Sequence, residues 1–323
     1  MNPPFEITHT ILKWHSQIAH LCGKIEGWHR PAPKPELRRA SRIRAIHGSL
    51  AIEGNTLSLE QITSVLEGKR IAGPKKDILE AQNAFSAYEA IESLDIYSAK
   101  RFLKTHRMLM QRLIENPGEW RRGNVGIQKG KKVAHVAPPP ALVPKLMEQL
   151  FKYIGSEKNI SLAVLSCVFH YETSFIHPFM DGNGRIARLW QTAMLRKFHP
   201  IFAHVPIESM VKQKQREYYK ALELSDNKGH ATPFVEFMLV SIYDALVEFM
   251  EDVEVPAQTG DHRLVTAQER FGLQEFSRKD YRLVFKTIST ATASRDLRNG
   301  VVSGLLVKRG EGNKTSYQFK KSA

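Results

Sequence analysis

The chain has 323 residues, 42% of them hydrophobic and 25% charged, with 47 Lys and Arg against 33 Asp and Glu for a formal net charge of +14. This is the composition of a soluble globular protein with room for a sizeable core, and it excludes a disordered, low-complexity or solenoid chain. No apolar run approaches the ~20 residues of a membrane span, and Pro3, Pro4 and Glu6 stand where a signal peptide needs basic and then apolar residues. A cytoplasmic chain without a membrane partner is therefore expected. Its two cysteines, Cys22 and Cys167, are too few for a disulfide framework and are read as reduced thiols. The positive charge points to an anionic partner: nucleotide, nucleic acid or acidic protein.

In chain order, Ile11 to Ile25 reads as an amphipathic helix ended by Gly27, and Pro31 to Pro35 as a loop. A second helix from Glu36 stops at Glu53, because Gly54 and Asn55 supply left-handed residues. A carboxylate at that end breaks a local rule, since a helix C-terminus carries partial negative charge. Ser58 with Gln61 and Asp77 with Glu80 read as capping boxes, the second starting a helix to about Ser93. Ser98 caps a further helix through Leu113, and Pro117 and Gly118 break it. Asn124 to Gln128 and Lys132 to Val136, around Gly130, predict a small β-hairpin whose edge could accept a partner's strand.

Helices then follow from Pro144 to Tyr153, from Ser161 to Phe175 and from about Arg185 to Phe198, the last two apolar on most sides and so the core pair. Lys212 to Ser225 and Thr232 to Met250, the latter with Thr232 as cap, complete this part. Glu254 to Asp261 is the candidate linker. Beyond it thirteen Lys or Arg face six Asp or Glu, and three helices precede a strand-turn-strand with Gly310 and Gly312 at its tip. That order predicts a winged helix-turn-helix, with Arg295, Arg298, Lys308 and Arg309 as its basic groups. Gly300 should shorten or bend its third helix, at about 1 kcal/mol relative to Ala.

The stretch from His177 to Arg188 reads H-P-F-M-D-G-N-G-R-I-A-R. It is not a calcium loop, because Thr192 stands where the bidentate Glu should be. It is not a zinc site, because His177 lacks a second ligand at workable spacing; His170 on the preceding helix reads as a core histidine. A phosphate site uses every residue. Gly182 and Gly184 let backbone N–H groups approach an anion in front of a helix N-terminus. Arg185 and Arg188, three apart, share one face and can reach successive phosphates. Asp181 offers a hard oxygen to Mg²⁺, and His177 can take a proton from an attacking hydroxyl. Phosphoryl or nucleotidyl transfer follows.

This stretch resembles the signature of the Fic family over all its H-P-F-x-D-G-N-G-R-x-x-R positions. Ser49 to Asn55 resembles the inhibitory motif of Fic proteins whose inhibitory helix precedes the core, and Pro117 to Ile127 resembles the family's flap. The resemblance implies a mainly α Fic-type core with a β-hairpin flap, followed by the winged helix. Domains are accordingly placed at 1–110 with the inhibitory helix at about 36–54, at 111–254 with the flap at about 120–136, and at 255–323.

It further implies a protein adenylyltransferase that transfers AMP from ATP to a Ser, Thr or Tyr hydroxyl, with His177 as base and Asp181 holding Mg²⁺. Gly182, Asn183, Gly184 and Arg185 would hold the phosphates, Arg188 the γ-phosphate, and Tyr219 would lie near the adenine. Ser49, Glu53 and Gly54 would form the inhibitory element, with Glu53 pairing Arg188. Val125, Gly126 and Ile127 would dock the target, which includes the chain itself. Duplex DNA and a protein stay open as partners of the winged helix, as does a homodimer. Two alternatives stand beside this: a DNA-binding regulator whose Fic-like part senses nucleotide, and removal of AMP or use of another donor at the same site.

Overall fold

Two helices buried along most of their length form the centre of the chain's helical part, and a computed structural model shows how the others stack on them; it describes residues 3–27, 35–129, 132–254, 260–285, 288–310 and 315–320. The chain divides into two compact units, Met1–Val247 and Glu248–Ala323.

The first unit runs α1 (His9–Gly27), α2 (Pro35–Ile52), α3 (Leu59–Leu66), α4 (Lys75–Glu89), α5 (Ala99–Met110), the hairpin β1 (Gly126–Lys129) and β2 (Lys132–Val136), then α6 (Val143–Ser156), α7 (Leu162–Ile176), α8 (Asn183–Phe198), α9 (Ile207–Gln213), α10 (Gln215–Lys228) and α11 (Thr232–Glu254), whose last residues from Glu248 fall in the second unit. α7 and α8 pack on each other more extensively than any other pair. Between them Phe169 and Trp190, fully buried, meet Phe102 of α5 and Phe151 of α6 with ring centroids 5.1–6.3 Å apart. α2 lies against α9 at Gly48, where a Cβ would come 2.7 Å from the Glu208 backbone. Only glycine admits that approach.

Several local readings need correction. The Asp77–Glu80 capping box does not form: α4 begins at Lys75 without a side-chain cap. Asp77 instead accepts from the N–H and hydroxyl of Thr56 (2.8 and 2.7 Å), and Glu80 turns inward. Thr232 is the first residue of α11, and its hydroxyl accepts the Glu6 N–H (3.0 Å). α5 stops at Met110, short of Leu113, and the Lys212–Ser225 helix is two, broken at Lys214. The Ser58–Gln61 capping box and the Ser98 cap do form. Gly130, the hairpin tip, lies outside the described residues, as do 255–259 of the candidate linker.

The second unit runs α12 (Gly260–Phe271), β3 (Phe276–Ser277), α13 (Arg278–Val284), α14 (Thr290–Val302), β4 (Leu306–Arg309) and β5 (Ser316–Phe319). Its sheet has the order β3-β5-β4, antiparallel throughout. The strand before α13 was not foreseen, because two residues carry no periodicity. Gly300 does not end α14, which runs through it to Val302. A Cβ there would lie 2.8 Å from Leu306 and 3.1 Å from Leu264, so its absence lets α14 close on the core. Gly312 lies outside the described residues.

Candidate active site

The turn between α7 and α8 is built from backbone constraints. His177 ends α7 in the left-handed region (φ 52°), a strained position for a non-glycine residue. Arg121, 3% exposed, holds it there: its Nε donates to the His177 carbonyl (2.7 Å) and its N–H to the Pro178 carbonyl (2.9 Å). The same guanidinium donates to the carbonyls of Gly123 (2.9 Å) and Pro138, which flank the hairpin. One buried arginine thus fixes the base of β1–β2 to the histidine turn. The His177 ring is partly exposed, with Nδ1 3.4 Å from the Ser174 carbonyl.

Asn183 closes the turn, exchanging hydrogen bonds with Phe179 N–H and carbonyl (both 2.9 Å). Its side chain serves the loop, not the space in front of it. Beneath lies His106 of α5, fully buried and stacked on Phe179 at 3.5 Å. The Gly118 N–H donates to its Nδ1 (2.9 Å), so Nε2 carries the hydrogen and donates to the Asp181 carbonyl (2.9 Å). Burial holds this imidazole down at about 4, and it is neutral. Gly182 is left-handed (φ 83°), and a Cβ on it would lie 2.7 Å from Met110.

Both motif arginines are buried and already engaged. Arg185, 5% exposed, donates to Glu80 (2.8 Å) and to Asp181 (2.9 Å). Asp181 also accepts its neighbour's N–H, from Gly182 (2.6 Å). Partial burial works against the Asp181 charge, but Arg185 and these hydrogen bonds outweigh it and hold the carboxyl below its usual range. Arg188, 2% exposed, donates to Ser49 Oγ and carbonyl (3.1 and 3.0 Å) and to Glu53 (2.6 Å). Burial opposes its charge, and Glu53 more than compensates.

Glu53 therefore sits over the first turn of α8. Its Oε1 would be 2.5 Å from a Cβ on Gly184, so that glycine makes room for the carboxylate. The misplaced charge at the end of α2 is offset by another element. Lys212 at the end of α9 donates to the Ala51 carbonyl (2.9 Å), and Gln215 of α10 donates to that of Ile52 (3.0 Å). Gly54 is left-handed (φ 88°), and Asn55 next to it donates to Glu80 (2.9 Å), tying the end of α2 to the partner of Arg185. Tyr219, 42% exposed, points its hydroxyl at the Ile52 carbonyl (3.5 Å). Val125, Gly126 and Ile127 enter the hairpin, where β1 pairs with β2 from Gly126↔Val136 with a bulge at Ile127/Gln128. His170, fully buried, bonds Gln191 (2.6 Å) and Tyr218 (3.0 Å) and is a core histidine.

The sequence reading missed His106, Glu80, Lys212 and the clamping role of Arg121. A signal existed for His106 alone, as a polar residue on the apolar face of α5 with Phe102, Leu109 and Met110.

Residues 96–195 match the model of the Fic/DOC family. The chain is 33% identical over 216 residues to protein adenylyltransferase Fic of Drosophila yakuba, covering 62% of this chain and 41% of the relative. The Drosophila grimshawi protein of the same name is 34% identical, covering 62% and 42%. The chain thus spans about two fifths of the length of the curated relatives it matches. Among solved structures, a Fic family protein from Desulfovibrio desulfuricans G20 is 36% identical with a TM-score of 0.74, covering 100% of this chain and 99% of that one. C. elegans Fic-1 shares the fold at 21% identity and a TM-score of 0.61, covering 77% of this chain and 73% of that one. The chain belongs to the Fic family.

Proposed function

We propose that the chain is a protein adenylyltransferase, transferring AMP from ATP to a Ser, Thr or Tyr hydroxyl of a target protein, and that Glu53 holds it idle. One observation carries the inhibition: the anion site at the N-terminus of α8 is already taken by the Glu53 carboxylate, 2.6 Å from Arg188 and directly over Gly184. A phosphate placed there would meet a like charge. The relatives' name supports the reaction.

In this reading His177 takes the proton from the target hydroxyl, whose oxygen bonds to the α-phosphorus while the bond to the β-phosphate breaks and pyrophosphate leaves. The hairpin presents the target segment as an added strand. The α8 N-terminus and Arg188, once Glu53 withdraws, hold the phosphates, and Tyr219 lies toward the base. For Mg²⁺ the donor set fits. Asp181 is half exposed and held ionised, and among the described residues no group of three or more His, Cys, Asp or Glu forms a cage. A single carboxylate completed by phosphate oxygens is the usual magnesium arrangement. Asp181 would hold the ion, which when bound supplies positive charge against the triphosphate.

The test uses ATP labelled in its α-phosphate. Glu53→Gly should label itself at least about tenfold faster than wild type, the equivalent of about 1.4 kcal/mol. Glu53→Gly combined with His177→Ala should take up no label. Self-labelling of Glu53→Gly no faster than wild type removes the inhibitory reading; labelling indifferent to His177 removes the mechanism. Loss of label from premodified protein would instead favour AMP removal at the same site.

A further inference from the structure

None of the residues placed at the site lies within Glu248–Ala323, yet the charges of that unit are sorted. Its core is made by Leu264 and Ala267 of α12, Phe276, Tyr281, Ala293 and Leu297, closed by Leu306 and Phe319. Ala293, Leu297 and Gly300 give α14 its inward face. The outward face carries Ala291, Arg295, Arg298 and Val302, one row at helical spacing, all exposed.

The one acid on α14 is turned away from that row. Asp296 is 1% exposed and bound by both arms of Arg263 (2.6 and 2.8 Å), with the Tyr281 hydroxyl at 3.4 Å. The neighbouring acids are also consumed internally. Asp280 forms the capping box of α13 with Ser277, and Glu275 binds Arg309 (2.7 Å) and Ser316 (3.1 Å). Arg295 and Arg298 have no carboxylate partner among the described residues, and Arg278 of α13 reaches across to Ser294 (3.1 Å), placing a third cation beside α14. Exposed Lys308 adds one on the β4–β5 hairpin. The first turn of α14 holds no acid, and its exposed residues there, Thr290 and Ala291, are small.

We infer that α14 is the recognition helix of a duplex DNA-binding surface, with Arg295 and Arg298 in the major groove and Arg278 and Lys308 on the phosphates. A helix slim at its N-terminal end, cationic along one face and cleared of acids fits a groove ~12 Å wide lined by phosphate. The deep, narrow major groove of duplex RNA does not admit it. Cations on both α13 and the hairpin bracket the helix as phosphate contacts bracket a reading head. This does not depend on the transferase reading.

The experiment measures binding of the full chain to a fluorescent 30-base-pair DNA of mixed sequence by anisotropy, at low and moderate salt. The wild type should bind with marked salt dependence. Arg295→Ala/Arg298→Ala should weaken binding at least about tenfold. Lys100→Ala/Lys104→Ala, which removes the same charge from exposed positions on α5, should change it less than about twofold. No salt-dependent binding, or equal weakening by the two double variants, overturns the proposal, the second because it would show attraction to net charge alone. Equal affinity for duplex RNA of the same sequence overturns the groove assignment. Displacement of bound DNA by no nucleic acid competitor but by acidic protein would give the face to a protein partner.

Discussion

Two helices of this chain carry arginines three residues apart, in the first turns of α8 and midway along α14, and the structure treats them in opposite ways. On α8, Arg185 and Arg188 are 5% and 2% exposed and matched by Glu80, Asp181 and Glu53, carboxylates from α4, from the turn and from the end of α2. On α14, Arg295 and Arg298 are exposed, and the acid between them is drawn inside by Arg263. A buried guanidinium must be paired, because desolvating it alone costs far more than any surface contact returns. Its partner then becomes something a competing anion can displace. An exposed pair needs no partner and acts through its field. The same spacing thus makes a paired internal site in one place and an open cationic face in the other.

Removing one partner tests the difference most sharply. Arg185→Ala leaves Glu80, 7% exposed at its side chain, with only the exposed Lys76 at 4.0 Å as a cation, and should destabilise the fold by about 3 kcal/mol. A thermal midpoint lower by on the order of 10 °C is expected by calorimetry. A shift of a degree or two would show that the pair is not desolvated as described.

Acid should distinguish the two surroundings next. The buried His106 under the α8 turn is held at about 4, below its ordinary 6.5. Between these values the unfolded chain binds a proton that the folded one refuses. The contribution of His106 is therefore full above pH 6.5 and lost as pH falls toward 4, by on the order of 3 kcal/mol. The four tryptophans, at 14, 28, 120 and 190, all precede residue 248, so fluorescence-monitored melting at pH 7, 5.5 and 4.5 reports on that unit. His106→Gln should make the decline shallower; an unchanged decline would assign it to other groups.

The smallest effect is expected on α14. Arg295→Ala/Arg298→Ala should change stability by less than about 0.5 kcal/mol, because exposed side chains with no carboxylate partner among the described residues are lost cheaply. A midpoint displaced as far as that of Arg185→Ala would mean that these arginines are structural, and the contrast with α8 would dissolve.

Much of the fold was legible before any coordinates. The large apolar side chains of α7 and α8 marked the core pair because residues such as Phe169 and Trp190 are costly to leave in water, and Ser58 with Gln61 marked the start of α3 because capping is settled within four residues. The Asp77–Glu80 box failed for the opposite reason. The same residue types that cap a helix also serve distant donors, and here Thr56 and Arg185 claimed them. Gly300 teaches the same: helix propensity is a local quantity, whereas the close approach of Leu306 and Leu264 that it permits comes from other elements of the unit.

At the site the division is the same. The sequence by itself determined the chemistry present, a histidine, a carboxylate, two glycines and two arginines before a helix, since that depends on residue types at short spacing. It also flagged Glu53 as out of place at a helix end. Only the tertiary structure decided which groups meet: that Lys212 offsets the charge at the end of α2, that Arg121 locks the His177 turn to the hairpin, and that His106 supports it from below as a neutral ring. These contacts join residues dozens of positions apart. Packing selects them, because each buried donor or acceptor must find a partner wherever the fold brings one within reach.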